Sequence, residues 1–221
     1  MHTLKRNSLI TGALGGALLM LSPLTQASWD SGACPTGLSV PCVEHEYNGN
    51  VYHFNGGHAD EWHGDANGDD FEFAGSGTLE CPSQTLNCSI SLDAQVKKFQ
   101  DDQDDWRIGI KVNEANLSGG FLCILADLEG LPWYLADSGT HDNFGNDDGV
   151  PWPGPITGNI GTLDVPLAGI SDIHAHGVSY DNYDTFNLTG DLYENGTDDP
   201  QGCSLNGALQ LQGDVDYLTV Y

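Results

Sequence analysis

Seven of the eight histidines lie beyond residue 27, and four crowd one segment. His45, His53, His58 and His63 stand among Glu46, Asp60 and Glu61. Imidazole binds zinc, copper or nickel, and carboxylates can complete such a shell. The run His58–His63 reads HADEWH, not the HExxH spacing that sets two ligands on one helical face. Polar surface histidines among aromatic residues are therefore the plainer expectation. His174 and His176 are two apart, so on a strand both turn to one face. His141 is the remaining member of the set.

Oxygen donors form two further groups. GDANGDD holds Asp65, Asn67, Asp69 and Asp70 around a glycine, and a second loop carries Asp142, Asn143, Asn146, Asp147 and Asp148. Alternating oxygens at a tight turn are what calcium (Ca2+) requires. Asp65, Asn67 and Asp69, with Asp142, Asn146 and Asp148, are the candidate metal ligands, and calcium is the candidate cofactor. An EF-hand register fails, because Ser76 stands where the closing glutamate belongs. Asp, Asn and Gly in these proportions are also ordinary turn residues.

Other catalytic signatures are missing. GxSxG, SxxK, phosphate-binding and dinucleotide glycine patterns do not occur. Carboxylate pairs suited to glycoside hydrolysis are numerous among 32 acids, and nothing singles one out. Trp133 and Trp152 each follow a proline near loops. They suit either a ligand platform or, more simply, packing at the ends of a β-sandwich.

Around these residues the chain is 221 long, with 6 Lys+Arg against 32 Asp+Glu and a formal charge of −26. Such a charge excludes nucleic acid as a partner, because a phosphate backbone needs a cationic footprint. Residues 1–27 read as a signal peptide: Lys5 and Arg6, an apolar run from Leu9 to Leu21, then Thr25 and Ala27 at the cleavage positions. The run is too short and Gly-rich for a membrane anchor, so an integral membrane protein is not expected. Export is expected to be to the outside, with the periplasm as the alternative. Beyond Ala27 the only Lys/Arg are Lys97, Lys98, Arg107 and Lys111, which takes the charge to about −28. All six cysteines lie in this part, as disulfides would in an oxidising compartment. Proximity suggests Cys34–Cys42 and Cys81–Cys88, leaving Cys123–Cys203.

Helix signals are nearly absent. Period-two alternation marks strands at 89–98, where Ile90, Leu92, Ala94 and Val96 share a face, and at 106–112, where Trp106, Ile108, Ile110 and Val112 do. Shorter candidates fall at 44–47, 51–54, 71–80, 121–128, around LPWYL, and at 156–160, 162–167, 171–176, 185–193, 208–211 and 215–221. CPSQTLNC, residues 81–88, forms the expected turn, and 137–155 the longest loop. Residues 73–94 and 186–208 echo each other, each leading from a Phe to a CysSer pair. The fold class is all-β: an antiparallel β-sandwich or partly open barrel stapled by disulfides. Residues 28–221 form the one secreted domain, with 28–70 as an irregular N-terminal extension.

A Cys-centred strand at Cys123, GLPW at Gly130–Trp133, a Gly-rich strand series, and a late hairpin at Cys203 and Ser204 followed by a short terminal strand occur in that order. From about residue 78 onward this pattern resembles a small family of secreted bacterial β proteins described as protein activators of alkane oxidation, with relatives in biofilm-matrix material. The resemblance implies a secreted β protein and supplies no catalytic residues. Residues 43–70 and 141–149 depart from the pattern. The expected function is that of a secreted non-enzymatic protein at a cell surface or matrix, in biofilm or hydrophobic-substrate handling. Its candidate partners are further copies of itself, a matrix polysaccharide or a hydrophobic substrate. A calcium- or carbohydrate-binding module is the alternative, and a secreted hydrolase the second.

Overall fold

A computed structural model describes residues 29–54, 60–120, 123, 127–140, 144, 148–165, 170–197 and 199–221. Early in the chain come β1 (Asp30–Ser31), β2 (Val43–Tyr47) and β3 (Asn50–Phe54), then the long β4 (Phe71–Cys81), β5 (Gln84–Gln100) and β6 (Trp106–Gly119). Three short pieces follow: β7 (Asp127–Leu128), β8 (Trp133–Tyr134) and β9 (Val150–Pro151). The chain ends with β10 (Ile156–Val165), β11 (Ile170–Tyr180), β12 (Thr185–Asn187), β13 (Gly190–Glu194), β14 (Pro200–Leu211) and β15 (Val215–Val220). Every pairing among them is antiparallel, so the fold is all-β, in two sheets.

The small sheet runs β1-β3-β2-β15 and joins residues 30–54 to the C-terminal strand. Its β2–β3 hairpin turns on Asn48-Gly49, both at positive φ, the backbone that a two-residue hairpin loop demands. The large sheet runs β7-β10-β11-β12-β14-β4-β5-β6-β8, with β13 and β9 at its sides. It curls until residues 133–136 touch both ends. Tyr134 pairs with Lys111 on β6, and Ala136 bridges Asn159 on β10. Asn159, fully buried, fastens that corner. Its amide donates to the carbonyls of Ser138 (3.2 Å) and Thr140 (2.8 Å), and its oxygen accepts from Gly177 N (3.0 Å). This closure is partial, and the sheet is not a complete barrel.

Several strands outrun the sequence expectation. The expected turn at 81–88 shrinks to Pro82–Ser83, with Cys81 paired to Gln84. β6 continues to Gly119 and β14 begins at Pro200, through segments rich in Gly, Ser and Asn that read locally as turns. The two strands expected at 156–160 and 162–167 are one, β10, broken by register shifts, and the one expected at 185–193 is two.

Three disulfides staple this frame: Cys34–Cys42, Cys81–Cys203 and Cys88–Cys123. The expected Cys81–Cys88 and Cys123–Cys203 pairings are therefore corrected. Cys88 sits opposite Gly77, four residues along β4 from Cys81. At about 3.4 Å per residue that separation far exceeds a disulfide's reach. Cys81 instead meets Cys203 on the neighbouring β14, where Ser204 pairs with Glu80.

The main core joins both sheets, from Val43, Phe54 and Val220 to Leu92, Ile108 and Leu209. A second cluster gathers Leu79, Leu86, Ile173 and Leu192 around Cys88, Cys123 and Cys203. Both long-range disulfides thus clamp one end of the large sheet.

Candidate functional site

Three of the described aspartates, Asp65, Asp101 and Asp181, cap the backbone of their own loops. Asp65 N donates to Asp69 O (2.7 Å), while Asp65 Oδ1 accepts from the backbone N–H of Asn67 (2.8 Å) and Asp69 (3.0 Å). Asp101 repeats this with Gln103 and Asp105, and Asp181 with Tyr183, Asp184 and Thr185. In each, an aspartate folds back on its own loop, the Asx arrangement. Asn67 adds a side-chain bond to Asp69 Oδ2 (2.9 Å). Burial pushes the Asp65 carboxyl above its usual range, and the N–H bonds from Asp69 and Asn67 oppose that. Of the second oxygen-rich loop, Asp142 and Asn146 lie outside the described residues. Asp148 is exposed, and its carbonyl accepts from Arg107 Nε (2.5 Å). Among the described residues, no three His, Cys, Asp or Glu side chains converge to hold a metal ion.

The histidines divide into two groups. His45 and His63 are fully buried around Trp29, with ring centroids 4.1 and 5.4 Å from the indole, and His63 stacks on Phe54 at 3.9 Å. His45 Nε2 accepts from Ala66 N (3.0 Å), which assigns the ring proton to Nδ1. Burial, then the neighbouring His63, lowers its pKa to about 4. His53 Nδ1 lies 2.7 Å from Gly32 O. His58 and His141 fall outside the described residues. His174 and His176 both face Tyr193, as the two-residue spacing predicts. His174 Nδ1 meets Asn195 Oδ1 at 2.9 Å, and Asn195 in turn donates to Asp172 (2.8 Å) and Thr162 (3.2 Å). Phe144 covers His174 at 4.9 Å.

All four basic residues beyond Ala27 sit on β5 and β6. Lys97 and Lys111 lie over the Trp62 ring at 4.9 and 5.0 Å. Lys98 is fully buried, donates to Pro41 O (2.9 Å), and has its pKa pulled down to about 8 by burial. Arg107 ties Asp101, Asp137 and the Gly149 carbonyl together.

One feature of the interior has no counterpart in the sequence motifs: an apolar cavity of about 80 Å3 inside the curl of the large sheet. Leu79, Leu86, Cys88 and Ile90 wall it from β4 and β5. Ala115 and Leu117 come from β6, Ile160 and Leu163 from β10, and Ile173 from β11. Leu192, Leu205 and Trp133 also line it, and the cavity is partly open rather than sealed. No charged side chain is among the described lining residues, and Thr162 is the one with a hydroxyl. Its Oγ1 is engaged by Asn195, in the His174 network. That network lies across the strand from the cavity, because Ile173 and His174 alternate on β11 and Ile173 faces inward. Trp133, one of two proposed platform residues, is buried here as a wall, while Trp152 is half-buried at the edge of β9. The alternation that marks Ile90 and Leu92 signals the wall but not the space beside it.

No family model, curated protein or solved structure matches the chain. Among the described residues, no helix is long and apolar enough to cross a membrane.

Proposed function

We propose that this is an exported, non-enzymatic β protein that holds a small uncharged apolar molecule, acting at a cell surface or in an extracellular matrix. The apolar cavity carries the reading. Ligand pockets normally place a few polar groups against a ligand's polar atoms, and a buried carboxylate or phosphate needs a paired charge. Among the described lining residues there is no charge, the one hydroxyl, of Thr162, is engaged by Asn195, and the net charge of −26 disfavours anions on approach. The described aspartate loops at Asp65, Asp101 and Asp181 have backbone partners, and the described histidines have backbone or aromatic partners. The leader-like residues 1–27 and the three disulfides support export. The resemblance of the stretch from about residue 78 onward to secreted β proteins agrees with it.

Thermal unfolding tests the reading. A ligand that binds only the folded state stabilises it in proportion to RT ln(1 + [L]/Kd). Cyclopropane is expected to raise Tm saturably, and propionate, of similar size but charged, to leave it unchanged. Equal insensitivity to both, or a response to propionate alone, contradicts the proposal.

A further inference from the structure

We propose that Trp133 is the residue that limits the size of molecule the cavity accepts, an inference that rests on the apolar-ligand reading above. Beside the cavity of about 80 Å3, the described residues line a smaller void of about 20 Å3. The strand register divides them. Along β5, Ile90 and Leu92 face the larger void, and Ala94 and Val96 the smaller. Along β6, Ala115 and Leu117 face the larger, and Ile108 and Ile110 the smaller. β11 repeats the division, with Ile173 and Ala175 on one side and Tyr180 on the other.

Val112 sits between the two sets on β6 and pairs across the strands with Trp133 on β8. Trp133 lines the larger void, and its pairing with Val112 sets it at the end of that void nearer the smaller one, where its indole forms the end wall. Two contacts hold that wall. Trp133 Nε1 donates to Glu129 O at 2.5 Å, and the six-membered ring packs against Gly161. Most of the other walls are Leu and Ile side chains, which change rotamer more readily than a clamped indole.

Size then sets the expected selectivity. The cavity is about half the roughly 150 Å3 of an engineered apolar cavity that binds benzene. Cyclopropane fits such a space and benzene does not. Trp133→Leu removes about six heavy atoms from the wall and opens the larger void toward the smaller.

The experiment measures binding of cyclopropane and benzene to the intact disulfide-bonded protein and to Trp133→Leu, with Trp133→Phe as a milder variant that keeps an aromatic ring. Benzene is expected to bind Trp133→Leu at least about tenfold more tightly than the unsubstituted protein, with an intermediate gain in Trp133→Phe. Cyclopropane affinity is expected to change by less than about threefold. If cyclopropane binds the unsubstituted protein but benzene affinity is unchanged in the variants that fold, Trp133 is not the limit and this inference alone falls. If cyclopropane does not bind the unsubstituted protein, the apolar-ligand reading falls, and this inference with it.

Discussion

The six-membered ring of Trp133 packs directly on Gly161, where a Cβ would stand 3.4 Å from ring atoms Cε3 and Cζ3. Gly161 also has φ of +91°, a conformation that side chains rarely adopt. The bare α-carbon therefore supports both the bend of β10 and the seat of the indole. Gly161→Ala is expected to cost about 1–3 kcal/mol, chiefly through backbone strain. Urea unfolding monitored by Trp fluorescence measures it, and an unchanged midpoint would contradict that strain.

The three aspartate loops make a graded prediction. Replacing Asp65, Asp101 or Asp181 by Ala removes an oxygen that holds two or three backbone N–H groups. Replacing it by Asn keeps that oxygen. Asp65→Ala is expected to destabilise by about 1–3 kcal/mol, since Asp65 is the most buried of the three aspartates and the freed N–H groups lose their partner. Asp101→Ala, at a solvated turn, is expected to cost less, and each Asn variant less than its Ala counterpart. Equilibrium denaturation of the six variants tests this order.

Acid should loosen the N-terminal sheet. His45 has an ordinary pKa of 6.5 when unfolded and about 4 when folded, so between these values the unfolded chain binds more protons. Its contribution is fully present above about pH 6.5 and is lost as pH falls toward 4, amounting to about 3 kcal/mol by the end. Asp65 and Asp93, whose carboxyls are pushed up by burial, act in the opposite sense, gaining stability as they protonate. His45→Gln is expected to flatten the fall across that window. Denaturation midpoints from pH 7 down to pH 4, for both proteins, test the sign.

Disulfide connectivity is directly readable. Digestion without reduction is expected to yield linked peptides for Cys34–Cys42, Cys81–Cys203 and Cys88–Cys123. Paired Ser substitution at Cys81 and Cys203, which closes a 122-residue separation, is expected to destabilise by about 2–5 kcal/mol. A Cys81–Cys88 peptide would contradict the register of β4 and β5.

The alternation of Ile90, Leu92, Ala94 and Val96, and of Ile108, Ile110 and Val112, made the central strands legible before any coordinates, because a half-buried strand imposes period two on its own sequence. The far halves of β6 and β14 were not legible. Residues such as Asn116, Ser118, Gly202 and Asn206 favour turns locally and are held extended by neighbouring strands. The disulfide partners depend on which strands lie side by side, so the nearness of Cys81 and Cys88 in sequence misled. Asp65, Asn67 and Asp69 share one loop, as their spacing requires, but spacing does not say whether carboxylate oxygens turn outward to a cation or inward to backbone N–H. The cavity is a space rather than a residue type, and Leu79, Ala115 or Leu205 read in sequence as plain core.

The most direct test of the central claim is methyl NMR of the disulfide-bonded protein under increasing xenon pressure. Xenon enters dry apolar cavities and has no charge to direct it elsewhere. Saturable shifts concentrated on Leu79, Leu86, Ile90, Leu117, Ile173 and Leu205 are the predicted result. Shifts that stay linear with pressure, or that scatter over surface methyls and leave these six unmoved, would contradict an apolar ligand site in this protein.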